Sequence, residues 1–268
     1  MELGKRTLTA FVLLGLLFVV IQYLPPVVFF VLLEIVIIAA LFEFYALASR
    51  KKLYPRKVLG LALTLALSVP FYAPHIGLGP VLFACLLVAG IYFVAHIDRL
   101  EMLAVFPQSI SITFFGALYL GFSLNYLYRI RVELGAFYLY FLFAVIFLGD
   151  TGAFFIGKPL GRHKMTPIAS PNKSWEGSVG GILFACLGAL AARELFFKDI
   201  VLWRALLCAV LAHAAAQVSD PLESLFKRAG GVKDSSNILP GHGGFLDRID
   251  SLILAAPLFY YLVKVLWK

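Results

Sequence analysis

The feature that most restricts this 268-residue chain is a succession of apolar stretches, each about as long as a bilayer is thick. A spanning helix takes roughly 20 mostly apolar residues. Nine such stretches can be read, near 7–24, 27–48, 57–73, 79–95, 108–126, 136–157, 178–196, 200–219 and 248–266. In lipid every backbone polar group has to be satisfied internally, so runs of this length predict helices. The expected fold is all-α: a polytopic transmembrane helical protein of about nine spans. With 62% hydrophobic and 14% charged residues, against about 45–50% and 25% in soluble domains, a soluble globular domain is excluded. The first stretch follows Glu2, Lys5 and Arg6. Its apolar run exceeds the usual signal-peptide core of about 7–15 residues, and no small-residue cleavage site precedes Pro25-Pro26, so a retained helix is expected.

Nine spans put the termini on opposite sides. One side carries the N-terminus and the loops near 50–57, 96–107, 158–177 and 220–248, with sixteen of the 23 lysines and arginines. The positive-inside rule makes that side cytoplasmic, which predicts a multi-pass protein of the cell (inner) membrane with its N-terminus in and its C-terminus out. The net charge of +8 then reflects topology; nucleic-acid binding would need a soluble basic face, and none is present. Cys85, Cys186 and Cys208 each sit alone in an apolar segment. Their odd count and lack of metal-ligand spacing make them buried hydrophobes.

Charge gathers in two polar islands. The larger is Ser224–Asp250, SLFKRAGGVKDSSNILPGHGGFLDRID, which packs Lys227, Arg228, Lys233, Asp234, Asp247, Arg248, Asp250 and His242 between two apolar segments. Ionisable groups at membrane depth are costly unless they pair or work. Residues 220–229 read as a short cytoplasmic helix, with Asp220 as N-cap, Pro221 in the first turn and Glu223 completing a capping box. Asp220 also closes one apolar span opposite the start of the next, where Asp247 and Asp250, three apart, share a helix face. A cap and a functional carboxylate are both open to it. The glycines around His242 are either an ordinary turn or, through successive N–H groups, an anion-binding nest. The second island is Gly149-Asp150-Thr151-Gly152, read as a break in segment 136–157, followed by the loop 158–177 with Ser170-Pro171-Asn172-Lys173-Ser174-Trp175-Glu176-Gly177.

Both islands resemble blocks of the phosphatidate cytidylyltransferase family, in the same order: GDTGAFF…SPNKSWEGSVGG, then S-x-F-K-R-x4-K-D-x-S-x2-L-P-x-H-G-G-F-x-D-R-I-D without a gap. They divide the chain into N-terminal spans, 1–135, without a recognised motif, and a C-terminal catalytic region, 136–268. The resemblance implies an enzyme that makes CDP-diacylglycerol and pyrophosphate from CTP and phosphatidic acid, with a polar site on the cytoplasmic side. Oxygen ligands beside a polyphosphate imply Mg²⁺, with room for a second cation. Asp220, Asp247 and Asp250 are the expected metal ligands. Lys227, Arg228, Lys233, Asp234, His242 and Arg248 form the expected catalytic cluster. Asp150, Asn172, Lys173, Trp175, Glu176, Ser224, Gly243 and Gly244 are expected to meet or orient substrate, Lys173 on phosphatidate. The expected partners are CTP, phosphatidic acid and the bilayer, with a homodimer left open. Two alternatives stand: another CTP-dependent membrane enzyme, acting on a prenyl or archaeal lipid phosphate or a lipid alcohol, and a transporter. A transporter would be expected to show repeated halves; no internal repeat is visible. Glu34 and Glu43 fall on nearly opposite faces of the second span, and each is expected to pair with a polar group on a neighbouring helix.

Overall fold

A computed structural model describes residues 15–238 and 243–267. Eight helices follow a helical stretch at 15–22: α1 (Pro26–Arg50), α2 (Lys57–Tyr72), α3 (Leu78–His96), α4 (Leu100–Leu134), α5 (Ala136–Leu160), α6 (Trp175–Phe196), α7 (Leu202–Ala229) and α8 (Leu246–Leu266). Two short strands, β1 (Lys164–Thr166) and β2 (Ser170–Ser174), pair antiparallel between α5 and α6. All but α2 are long and apolar enough to cross a bilayer, giving seven candidate spans among the described residues; α2 has 16 residues. Each expected stretch from 27–48 onward coincides with one helix. Of the first, 7–24, residues 7–14 lie outside the described residues and 15–22 are helical.

Three local expectations are corrected. Residues 220–229 are not a separate helix: α7 runs unbroken from Leu202 to Ala229 with Pro221 inside it, so Asp220 is not an N-cap. Gly149–Gly152 does not break α5, which continues to Leu160. Proline and glycine are tolerated inside membrane helices where neighbouring helices pack against them. The segment 158–177 is not a plain loop, because β1 and β2 form a hairpin with Lys164 opposite Ser174 and Thr166 opposite Ser170.

The most extensive packing is between α5 and α6, with α7 against α6 and α8 against α7. Small residues permit it: a Cβ on Gly177 would lie 2.9 Å from the Ala153 carbonyl oxygen and 3.0 Å from Gly157 Cα. Close backbone approach of this kind is how membrane helices gain packing energy without a hydrophobic drive. The main core draws on α1, the later part of α4 and α5–α8 together, with Ile37, Leu41, Phe44, Leu124, Phe141, Ile146, Ala212 and Phe259 at or near zero exposure. A smaller core joins α2 and α3 to Ala117 of α4. Gly135, with φ +112°, makes the turn between α4 and α5, and α1 packs with the C-terminal helices, so the main core draws on both sides of that turn.

At one end of the bundle the hairpin, the end of α7 and the start of α8 come together. Arg228 Nε donates to the Ala169 carbonyl at 3.3 Å, and Gly230 lies against Leu47 near the end of α1.

Candidate active site

The helix α7 carries Gln217, Asp220, Ser224 and Lys227 at intervals of three or four residues, so they form one polar face on an otherwise apolar helix. Asp247, Asp250 and Ser251 repeat the pattern on α8, and Asp150 faces them from α5. These elements, with the hairpin and the first turn of α6, enclose a cavity of about 420 Å³. Its walls include Asp150, Asn172, Lys173, Asp220, Asp247 and Asp250, six of the expected site residues, from both islands.

The hairpin explains how a loop lysine reaches this depth. Ser174 ends β2 and caps α6, its Oγ accepting from Gly177 N at 3.2 Å. The Glu176 carboxylate accepts from the backbone N–H groups of Arg162 (3.1 Å) and His163 (3.2 Å) and lies 2.6 Å from the His163 ring Nδ1. With both hairpin ends fixed, Lys173 points into the cavity and its Nζ forms a 2.6 Å ion pair with Asp220 Oδ2.

A second lysine works from below. Lys227 is 8% exposed, and its Nζ lies 2.7 Å from Asp247 Oδ1 and 2.5 Å from Glu223 Oε2. The Asp247 contact is a hydrogen bond; the Glu223 contact is an ion pair without hydrogen-bond geometry. Asp247 Oδ2 accepts from Ser235 N (2.9 Å), Ser235 Oγ (2.8 Å) and Gly244 N (2.8 Å). Asp150 and Asp250 make no ion pair among the described residues. Ser251 joins them, with its Oγ 3.2 Å from Asp150 Oδ2 and its N–H donating to Asp250 Oδ1 at 2.7 Å. Asp220 is near enough to repel both.

Other expected residues lie outside the cavity. Arg228 is held by backbone carbonyls, donating to Ala169 and, at 3.0 Å, to Val232. Lys233, Asp234 and Arg248 are exposed and do not line it. Trp175 is 58% exposed at the start of α6, and Glu176 secures the hairpin. Ser224, nearly buried, places its Oγ 3.5 Å from Asp220 Oδ1. His242 lies outside the described residues. The glycines after it serve the protein's own carboxylates. Gly243 has φ +81°, and a Cβ there would lie 2.7 Å from Asp247 Oδ2, while one on Gly244 would overlap the Glu43 carboxylate. The Gly244 N–H expected to cradle phosphate donates to Asp247 instead.

Sequence reading missed Glu43, Gln217, Glu223, Ser235 and Ser251. Glu43 and Glu223 did carry a signal, since each is an acid among apolar residues. Glu34 pairs with a neighbouring helix as expected, Asn125 Nδ2 donating to its Oε1 at 2.8 Å, whereas the side-chain partners of Glu43 lie on the loop before α8, with Ser236 Oγ donating to its Oε1 at 2.6 Å.

The sequence profile of the Cytidylyltransferase family matches residues 4–266. The chain belongs to that family. It is 43% identical over 145 residues to the phosphatidate cytidylyltransferases of Staphylococcus saprophyticus and Staphylococcus epidermidis, and 42% identical over 147 residues to that of Staphylococcus aureus strain COL. Each match covers 54% of this chain and 55% of the relative, so the chain spans about half the length of the curated relatives it matches.

Proposed function

We propose that this family member is a membrane-embedded phosphatidate cytidylyltransferase, converting CTP and phosphatidic acid to CDP-diacylglycerol and pyrophosphate. The observation that carries the reading is the convergence of both motif blocks on one cavity, with Lys173 of the first paired to Asp220 at the edge of the second. The names of the staphylococcal relatives supply the substrates.

A phosphatidate oxygen attacks the α-phosphorus of CTP. The new P–O bond replaces the bond to the β-phosphate oxygen, and pyrophosphate leaves with that electron pair. The attacking phosphate is already ionised at neutral pH, so no general base is required. What the protein supplies is alignment of two polyanions and neutralisation of their charge. Lys173 is the lysine that lines the cavity, Lys227 stands behind the lining residue Asp247, and Asn172, Ser178 and Gln217 offer neutral hydrogen-bonding groups.

The donors around the cavity are carboxylates, the ligand chemistry that suits Mg²⁺. That ion commonly takes one or two carboxylates together with water and substrate phosphate oxygens. No cluster of three acids stands at coordinating range among the described residues, which suits an ion arriving with the nucleotide better than a permanent cage. Of the expected ligands Asp220, Asp247 and Asp250, one or two would hold it, with Asp150 beside them; both Asp247 oxygens already accept from Lys227, Ser235 and Gly244. When bound it would neutralise phosphate charge.

CTP is cytosolic, so the hairpin end of the bundle faces the cytoplasm in this reading, which the lysine and arginine count also supports. The test is incubation of detergent-purified protein with labelled CTP, Mg²⁺ and phosphatidic acid, followed by lipid extraction. Label in a CDP-diacylglycerol fraction is expected. Label in lipid only with a prenyl phosphate or a lipid alcohol would reassign the substrate.

A further inference from the structure

The second described half of the chain holds the cavity, yet a carboxylate as heavily bonded as Asp247 comes from α1. Glu43 is 5% exposed and accepts four hydrogen bonds: Ser235 Oγ (2.9 Å) and Leu246 N (2.8 Å) at Oε2, Ser236 Oγ (2.6 Å) and Phe245 N (3.1 Å) at Oε1. Two of these donors are the opening backbone N–H groups of α8, which have no partner within their own helix and attract negative charge. The other two belong to the loop that precedes it. Glu43 therefore pins the loop and the start of α8 to the same point on α1.

The link to the cavity is Ser235. Its hydroxyl oxygen lies 2.9 Å from Glu43 Oε2 and 2.8 Å from Asp247 Oδ2. A serine has one hydroxyl proton, and here two carboxylates compete for it. Gly244 completes the arrangement, because any side chain there would occupy the space of the Glu43 carboxylate and the Ser235 hydroxyl. Asp247 is thus oriented from below by Lys227 and from the side by a unit whose fixed point is Glu43.

We infer that Glu43 is a positioning residue for Asp247, acting through Ser235 and the first turn of α8. For catalysis this rests on the cytidylyltransferase reading, and the test separates the two. In the full-length protein in detergent, Glu43→Gln replaces one accepting oxygen by an NH₂ facing N–H and O–H donors. The expected result is faster tryptic cleavage after exposed Lys233, together with a fall in kcat of about tenfold or more and a KM for phosphatidate within about twofold, because Glu43 itself does not line the cavity. Glu43→Asp, which keeps the charge on a shorter arm, should recover part of kcat. In a Ser235→Ala background the further effect of Glu43→Gln should shrink, because the bridge is already gone.

Faster cleavage with wild-type kcat would overturn the inference, since Asp247 would then be placed without Glu43. If Glu43→Gln cannot be purified folded, Glu43→Asp gives the same readouts. If the wild-type protein fails to convert CTP and phosphatidate, the functional reading falls alone. The cleavage rates of Glu43→Gln, Asp247→Asn and the double variant then decide: non-additive effects support the positioning link, and additive effects overturn it.

Discussion

Lys173 and Asp220 come from separate islands of the sequence, and they meet as a 2.6 Å ion pair in which both side chains are more than a quarter exposed to the cavity. The pairing joins what read as two sites into one. It also changes what Asp220 can be: inside α7 its carboxylate has no helix to cap. Asp220→Asn and Asp247→Asn should each lower turnover more than about a hundredfold, because each removes a formal charge from a site built around polyanions. Radiolabelled turnover beside a thermal melt of the same preparation checks this; near-normal turnover of Asp220→Asn would remove it from the metal set.

Lys173→Ala should raise the KM for phosphatidic acid more than that for CTP, by roughly ten- to a hundredfold, the size of one lost charge-assisted hydrogen bond of about 1.5–3 kcal/mol. Because Lys173 touches Asp220, the effects of Lys173→Ala and Asp220→Asn should not be additive. Steady-state kinetics with each substrate varied in turn separates these outcomes, and a selective rise in the KM for CTP would place Lys173 on the triphosphate.

Lys227 presents a different case. It is nearly buried between Asp247 and Glu223, and Glu223 has no exposure at all. Removing one partner of a buried charge set typically costs about 3–5 kcal/mol, so Lys227→Met should lower the melting temperature sharply as well as abolish activity. Adding Glu223→Gln should restore much of the melting temperature and none of the activity. Equal losses in the single and double variants would show that Glu223 is not the group left stranded.

Orientation is tested without reference to activity. A cysteine at exposed Gly231 should react in intact cells only with thiol reagents that cross the membrane, and a reporter fused after Lys268 should face away from the cytoplasm. The reverse pattern would put the hairpin end of the bundle outside.

The helices were legible because their signal is crude: a long apolar run has few other fates in a bilayer. Punctuation was harder. Pro221 after Asp220 has the form of a helix start, and Gly149–Gly152 the form of a break, yet both lie inside continuous helices whose neighbours pack against them. The strand Ser170–Ser174 is short, polar and contains Pro171, so no alternation announces it. Of the site, the cavity-lining aspartates were legible as charges at the edges of apolar segments, and Lys173 through the resemblance of its block SPNKSWEG. Glu43 was visible as an intramembrane acid, but its partners lie some 200 positions further on, and only the fold brings them together. Arg228, Lys233 and Arg248 looked equivalent to Lys227 in the sequence. Only Lys227 points inward on the polar face of α7.

Pro221 follows Asp220 directly and has no N–H to give. The carbonyl of Gln217, one turn earlier, therefore lacks the helical donor that every neighbouring carbonyl can claim, and it does so on a helix that lines the cavity at both Gln217 and Asp220. Close to the level where the carboxylates gather, α7 thus carries a backbone acceptor released from its helix, one that no side-chain substitution can remove short of replacing the proline itself.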